Sequence, residues 1–251
     1  MSFSNSLIVT CLRLYADAER ILDRAIAVDP KDSNTRAFRA ATELRWHADS
    51  LPLISTIETF ISQDSSEAKH LAFGWIRGGL CKRDFEGTRR VLAALPIDGC
   101  YDGTIPIPRF WCETVVAQLR GDSTAARTAF INAPAEGARL VAEQPAYAEG
   151  FCVLGMADAA VGNKEEAIRE GRRAIELMPI SKSAIEGPLL IQYLALIYAW
   201  TGEKDLALEQ LSVAARMPGH LSYGQLHLNP YWDPLRGDPG FEKIVASLAP
   251  K

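Results

Sequence analysis

Glu43 and His47 stand four residues apart, with Asp49 close behind. On a helix that spacing puts a carboxylate and an imidazole on one face, the arrangement of an acid–base pair or of half a metal site. It is also the commonplace spacing of an exposed helix pair, and that plainer reading is preferred. His70 stands alone, and His220 and His227 have no acidic or cysteine neighbour at ligand spacing, so neither a metal nor a cofactor is expected. Arg236-Gly237-Asp238 spells an adhesion tripeptide but lies in Asp-Pro-Leu-Arg-Gly-Asp-Pro-Gly, where a turn between prolines explains it better. No Gly-x-Ser-x-Gly elbow is present. The run Gly74-Trp75-Ile76-Arg77-Gly78-Gly79 lacks the Lys-Ser/Thr ending of a phosphate loop. Arg169, Arg172 and Arg173 cluster on one stretch, as a solvated face or as a contact for an anion or partner. No catalytic residue is assigned, and the chain reads as something other than an enzyme.

Five cysteines, Cys11, Cys81, Cys100, Cys112 and Cys152, are scattered without the close spacing of a zinc knuckle or redox motif. Reduced, buried thiols in a cytoplasmic protein are expected. Over 251 residues the net charge is −4, from 27 basic and 31 acidic side chains, which gives no electrostatic case for nucleic acid. No apolar run is long enough to span a bilayer, so no membrane insertion is expected. The start, MSFSNSLIVTCLRLYADAER, has no basic leader or small-residue cleavage site and reads as helix, not signal peptide.

The elements that would carry these residues are helices. The clearest stretch runs from Gly150 to Pro218, where two segments of one design follow each other. Each has an apolar helix, a turn closed by Gly162 or Gly202, an acidic helix start and an amphipathic second helix ending near proline. The period is about 40 residues, the mark of an α-solenoid of helix pairs. Asn163 with Glu166 forms a capping-box pattern, and Ala167, Ile168, Gly171, Ala174, Ile175 and Met178 make the expected buried face. Upstream, Asp29-Pro30 stops a first helix. Helical pairs are expected at about 35–49 with 51–62 and at 68–83 with 84–96. The stretch 96–108, with three prolines and two glycines, reads as a long loop: a domain seam, a lid or an insertion. No strand pair with hairpin chemistry is expected. Ser123 is expected to cap a helix that Pro134 kinks or splits.

These residues resemble the tetratricopeptide repeat family, whose first helix carries an aromatic, Leu-Gly and Tyr and whose second carries Ala, Phe and Pro. Phe151, Leu154, Gly155, Ala167 and Pro179 fall at the matching spacing, with Asp158 and Gly171 departing. Leu194, Ala195, Tyr198, Ala207 and Pro218 match in the next unit, where Ile191 replaces the aromatic. Ala126, Phe130, Ala18 and Pro30 match further back, and 35–95 fits only loosely. The resemblance implies an all-α superhelix, a solenoid of antiparallel helix pairs over 1–218. Its clearest units are about 146–179 and 188–218, with looser units about 1–30, 34–62, 66–96 and 108–144. Residues 219–251, with Tyr223, Tyr231, Trp232 and Phe241, would form a short irregular C-terminal cap. That tail looks like the ending of bacterial signalling proteins in which such repeats follow a serine/threonine kinase or winged-helix module. No such module lies within these residues, and whether the chain is whole or a piece stays open.

What the resemblance implies for function is a scaffold holding a partner protein or peptide, with homo-oligomerisation left open. Carried across by matching position, the concave groove would be lined by Phe73 and Arg77, then Trp111, Val115 and Gln118. It would continue with Cys152 and Met156 and end with Gln192, Leu196 and Trp200. The set is mainly apolar and lacks the Lys/Asn cluster that clamps a C-terminal carboxylate, so an apolar or helical partner segment is expected. The same side chains would otherwise simply pack the interior. Two rivals remain: a sensor enclosing a peptide or small molecule, and an enzyme built on the helical array.

Overall fold

A computed structural model describes residues 2–95, 99–102, 105–131 and 146–250. Apart from one short strand pair, the described elements are helical. They gather into two compact units: Met1–Ala94 with Pro218–Pro230 and Val245–Lys251, and Leu95–Met217 with Tyr231–Ile244.

The first unit holds α1 (Ser2–Cys11), α2 (Tyr15–Val28), α3 (Ser33–His47), α4 (Leu51–Gln63), α5 (Ala68–Cys81) and α6 (Phe85–Ala94). Each packs on the next in chain order. α2 ends at Val28, directly before Asp29-Pro30. α3 begins where the Asp32 carboxylate accepts from the Asn34 and Thr35 N–H groups, satisfying two of the donors a helix start leaves free. Ala37, Ala40, Ala41, Leu44, Leu53 and Ile57 form the core between α3 and α4, with Leu71 and Cys81 from α5.

The segment 218–230 belongs to this unit. Gly219 N–H donates to the Cys11 carbonyl at 2.9 Å, and Arg13 Nε donates to the Leu221 carbonyl at 3.1 Å. α13 (Tyr223–Leu228) then lies on α3, with Leu228 against the core. Gly224 makes that approach: a Cβ there would sit 1.6 Å from the Leu44 carbonyl oxygen. Only glycine fits.

The second unit opens with β1 (Cys100–Asp102) and β2 (Ile105–Ile107), antiparallel with Cys100 opposite Ile107 and Asp102 opposite Ile105. The expected loop at 96–108 therefore contains a hairpin, and the reading that no strand pair occurs is corrected. Residues 96–98 and 103–104 lie outside the described residues. In the sequence Asp102-Gly103-Thr104 stands between the strands, a glycine where a two-residue hairpin turn favours one, and the reading of 96–108 as a loop passed over it. The pair is held by Gly99, at φ +82°, where a Cβ would meet the Ile107 carbonyl oxygen at 1.9 Å, and by β2 packing on the helix Ala148–Val161. α7 (Arg109–Leu119) and α8 (Ser123–Ile131) follow. The cap of α8 is Asp122, not Ser123: its carboxylate accepts from Ala125 N–H at 2.9 Å. The expected kink at Pro134 falls outside the described residues.

α9 (Ala148–Val161), α10 (Lys164–Leu177), α11 (Glu186–Trp200) and α12 (Lys204–Arg216) are the two repeated pairs. Both turns are closed by glycine in the left-handed region, Gly162 at φ +87° and Gly202 at φ +84°. α9 packs on α10 and α11, and α11 on α12. α11 is the centre of the unit, buried from Gly187 to Ala199 except at Gln192. Beyond it, Trp232, Leu235 and Phe241 bury in the same unit, and α14 (Pro239–Ser247) ends the described chain. Among the described residues no helix is long and apolar enough to cross a membrane.

Candidate functional site

The candidate residues of the first paragraph separate. Glu43 joins Glu19 and Asp23 around the Arg39 guanidinium, at 3.2, 2.8 and 3.0 Å. Asp49 instead accepts from Leu51 N–H at the start of α4, and His47 lies exposed, stacked on Trp46. Among the described residues, no three His, Cys, Asp or Glu side chains gather as a metal site. Cys11, Cys81, Cys112 and Cys152 are buried and in no disulfide. In the Arg-Gly-Asp run, Arg236 pairs with Asp233 and Asp238 caps α14 by accepting from Gly240 N–H.

The residues carried across to the concave groove also divide. Phe73 and Arg77 lie in the first unit, half-buried, with the guanidinium 4.6 Å from the ring centroid. The other eight lie in the second unit. Trp111, Val115, Cys152, Met156 and Leu196 are buried; Gln192 and Trp200 are half-buried, and Gln118 is exposed. Trp111 and Trp200 meet one side chain, Tyr231, edge to face at 6.2 and 5.5 Å. Trp200 Nε1 donates to the Tyr231 carbonyl at 2.8 Å. The two tryptophans are thus closed over by the tail of their own chain.

Two features of α9–α12 have chemical character. One is a pair of buried carboxyls. Asp158 on α9 is 6% exposed and Glu170 on α10 is 8% exposed, and the two carboxyls act on each other across the helix pair. Burial, and then the Asp158 carboxyl, push Glu170 up to about 8, which favours its protonated form at neutral pH. Asn163 completes the group. Its side chain makes no cap bond and instead donates from Nδ2 to Asp158 Oδ1 at 2.7 Å. The capping box expected for Asn163 and Glu166 is corrected accordingly: the buried carboxylate outbids the backbone for that amide.

The other is a cleft of about 800 Å³ along the outer side of α10. Phe151 of α9, Ile168 of α10 and Leu206 of α12 give it apolar walls. Arg169, Arg172 and Arg173, the cluster noticed in the sequence, line it with Lys164. Glu170 reaches its edge. Lys164 pairs with Glu203 at 2.5 Å, and Arg173 with Glu176 at 3.2 Å. Arg169 stands 3.8 and 3.9 Å from Glu166 and Glu170. Arg172 is held differently: its Nε donates to the Tyr198 hydroxyl at 2.9 Å, with the guanidinium 5.8 Å from that ring's centroid.

The carboxyl pair escaped the reading of the sequence, although two signals were present. Asp158 is the one charged residue in the run from Gly150 to Val161. Glu170 falls with Ala167, Gly171 and Ala174 on the face that is buried, whereas Ile168 and Ile175 of the expected face are half-buried. No model of a known protein family matches this chain, and none of the curated proteins matches it.

Proposed function

We propose that this chain is a non-catalytic helical-repeat scaffold of the tetratricopeptide type that binds a partner protein or peptide. The observation that carries the proposal is the cleft along α10, where apolar walls and charged side chains meet on the outside of a repeated helix pair. Membership of bacterial signalling proteins and a cytoplasmic location belong to the same proposal and draw on the sequence resemblance alone. Five of the residues carried across to the concave groove are buried, which favours the cleft over the groove as the partner's seat in this reading. A sensor for a peptide or small molecule is the second reading, favoured by a volume within the range of small-molecule sites.

The test is affinity capture with the full chain as bait, in parallel with Leu206→Glu. Leu206 is half-buried at the cleft wall, so the variant changes the wall with little loss of core. One partner recovered by the wild type and lost about tenfold in the variant, at unchanged melting temperature, supports the reading. Equal capture by both removes the cleft from it. Trp111→Ala is a poor probe because truncating so buried a side chain costs about 3–5 kcal/mol of stability by itself.

A further inference from the structure

We propose that Arg172 is a carboxylate seat, and that the segment docking in the α10 cleft is an acidic amphipathic peptide whose Glu or Asp side chain it receives. The proposal rests on the scaffold reading and names the chemistry of its partner.

Among the described cations lining the cleft, Arg172 is the one whose hydrogen-bond partner is not a carboxylate. Lys164 and Arg173 have Glu203 and Glu176. Arg169 stands 3.8 Å from the Glu166 carboxylate and 3.9 Å from Glu170. The partner of Arg172 is the Tyr198 hydroxyl, and it engages Nε only. That contact fixes the guanidinium plane and leaves the two terminal nitrogens, the edge that matches a carboxylate with two parallel N–H donors. An arginine already oriented by a buried tyrosine loses less freedom on binding than one free in solvent.

The size of the charge follows from the neighbours. Glu165, Glu176 and Glu203 share the cleft with the four cations, Glu166 stands 3.8 Å from Arg169, and burial favours the protonated form of Glu170, so the two signs nearly balance. One carboxylate held by Arg172 therefore adds little repulsion, while a doubly charged phosphate would meet more of it from the rim. The shape favours a chain segment. From Lys164 to Glu176 the wall of α10 runs about 18 Å, three turns of a docked helix. Ile168 and Leu206 then take its apolar side chains, as in helix-in-groove recognition.

The experiment uses arrayed peptides of helical pattern, with leucines on one face and none, one, two or three glutamates on the other. They are probed with the full chain, Arg172→Gln and Tyr198→Phe. Capture that rises with the first glutamate, weakens about tenfold in Arg172→Gln and falls less in Tyr198→Phe is the expected result. Circular dichroism and melting confirm that the variants stay folded. Capture indifferent to glutamate or to Arg172 overturns the seat while leaving the scaffold standing. Capture of lysine-substituted control peptides instead, or tighter capture of phosphoserine versions, overturns the carboxylate assignment. Capture of no peptide also overturns it, and the scaffold is then judged by the bait experiment alone.

Discussion

The pairs α9–α10 and α11–α12 are two copies of one plan with different polar contents. Aligned on Gly162 and Gly202, Ala167 corresponds to Ala207 and Ala174 to Ala214, all four buried, so the helix-to-helix contact is made by small side chains in both. Elsewhere they part. Asp158 corresponds to Tyr198, Asn163 to Glu203, Glu170 to Gln210 and Gly171 to Leu211. The first copy buries two carboxyls between its helices and has the Asn163 amide in the turn donate to one of them. The second fills the same positions with a phenol ring and a leucine and turns its polar groups outward. The pair thus separates two ways of holding helices together: a buried hydrogen-bonded group, whose strength depends on protonation, and apolar packing, which does not.

The largest difference should come from truncating the apolar side. Leu211 is fully buried, and Leu211→Ala should cost about 2–5 kcal/mol, read as a lower denaturation midpoint at unchanged slope. A loss below 1 kcal/mol would mean that the second copy is not held by packing. Next comes pH. The folded state keeps a proton on Glu170 up to about pH 8, whereas the unfolded chain loses it in the ordinary carboxylate range. The contribution is complete below that range and is lost as pH rises through it towards about 8, on the order of a few kcal/mol. Glu170→Gln keeps a donor for Asp158 without a titrating proton, so its stability should be flatter over that window. The difference between the two curves isolates this group from Glu19, which burial also raises. Parallel curves would put the proton elsewhere.

The two copies were unequally legible in the sequence. α11 and α12 were readable because each position does what its residue type favours: leucine, isoleucine and alanine inside, turns at glycine. α9 and α10 were readable as helices but not as a site, because Asp158 and Glu170 lie twelve positions apart and meet only when the two helices fold back on each other. Asn163 misled for a related reason. Residue type makes it a cap, but its amide donates back across the turn to Asp158, five residues earlier, and makes no cap bond. The strand pair at 100–107 was legible at Asp102-Gly103 but was lost among the prolines of 96–108, whereas Gly99 answers to a close backbone approach that no turn pattern announces. Gly224, which brings the tail against α3, was hidden in the same way. The cleft was half-legible: the arginines were visible as a cluster, but not that Tyr198 would hold one of them.

The remaining two predictions compare the equivalent positions Asn163 and Glu203. Asn163→Ala removes the amide donor from a buried carboxyl, which should cost about 1–3 kcal/mol, because Asp158 loses a side-chain donor at 2.7 Å. Glu203 faces a different medium. It pairs with Lys164 at the edge of the cleft, with the two side chains 37% and 50% exposed, so water and salt compete for both charges. A double-mutant cycle with Lys164→Ala and Glu203→Ala should give a coupling of about 0.2–1 kcal/mol, shrinking further in high salt. The cycle sharpens the comparison because both positions stand next to the helix-closing glycine and differ chiefly in partner, a buried carboxyl for Asn163 and an exposed ammonium for Glu203. A coupling as large as the Asn163 effect would show that the cleft edge is less solvated than its exposure implies. The polar contents of the two copies would then be alike in strength, and the contrast drawn between them would rest on Leu211 alone.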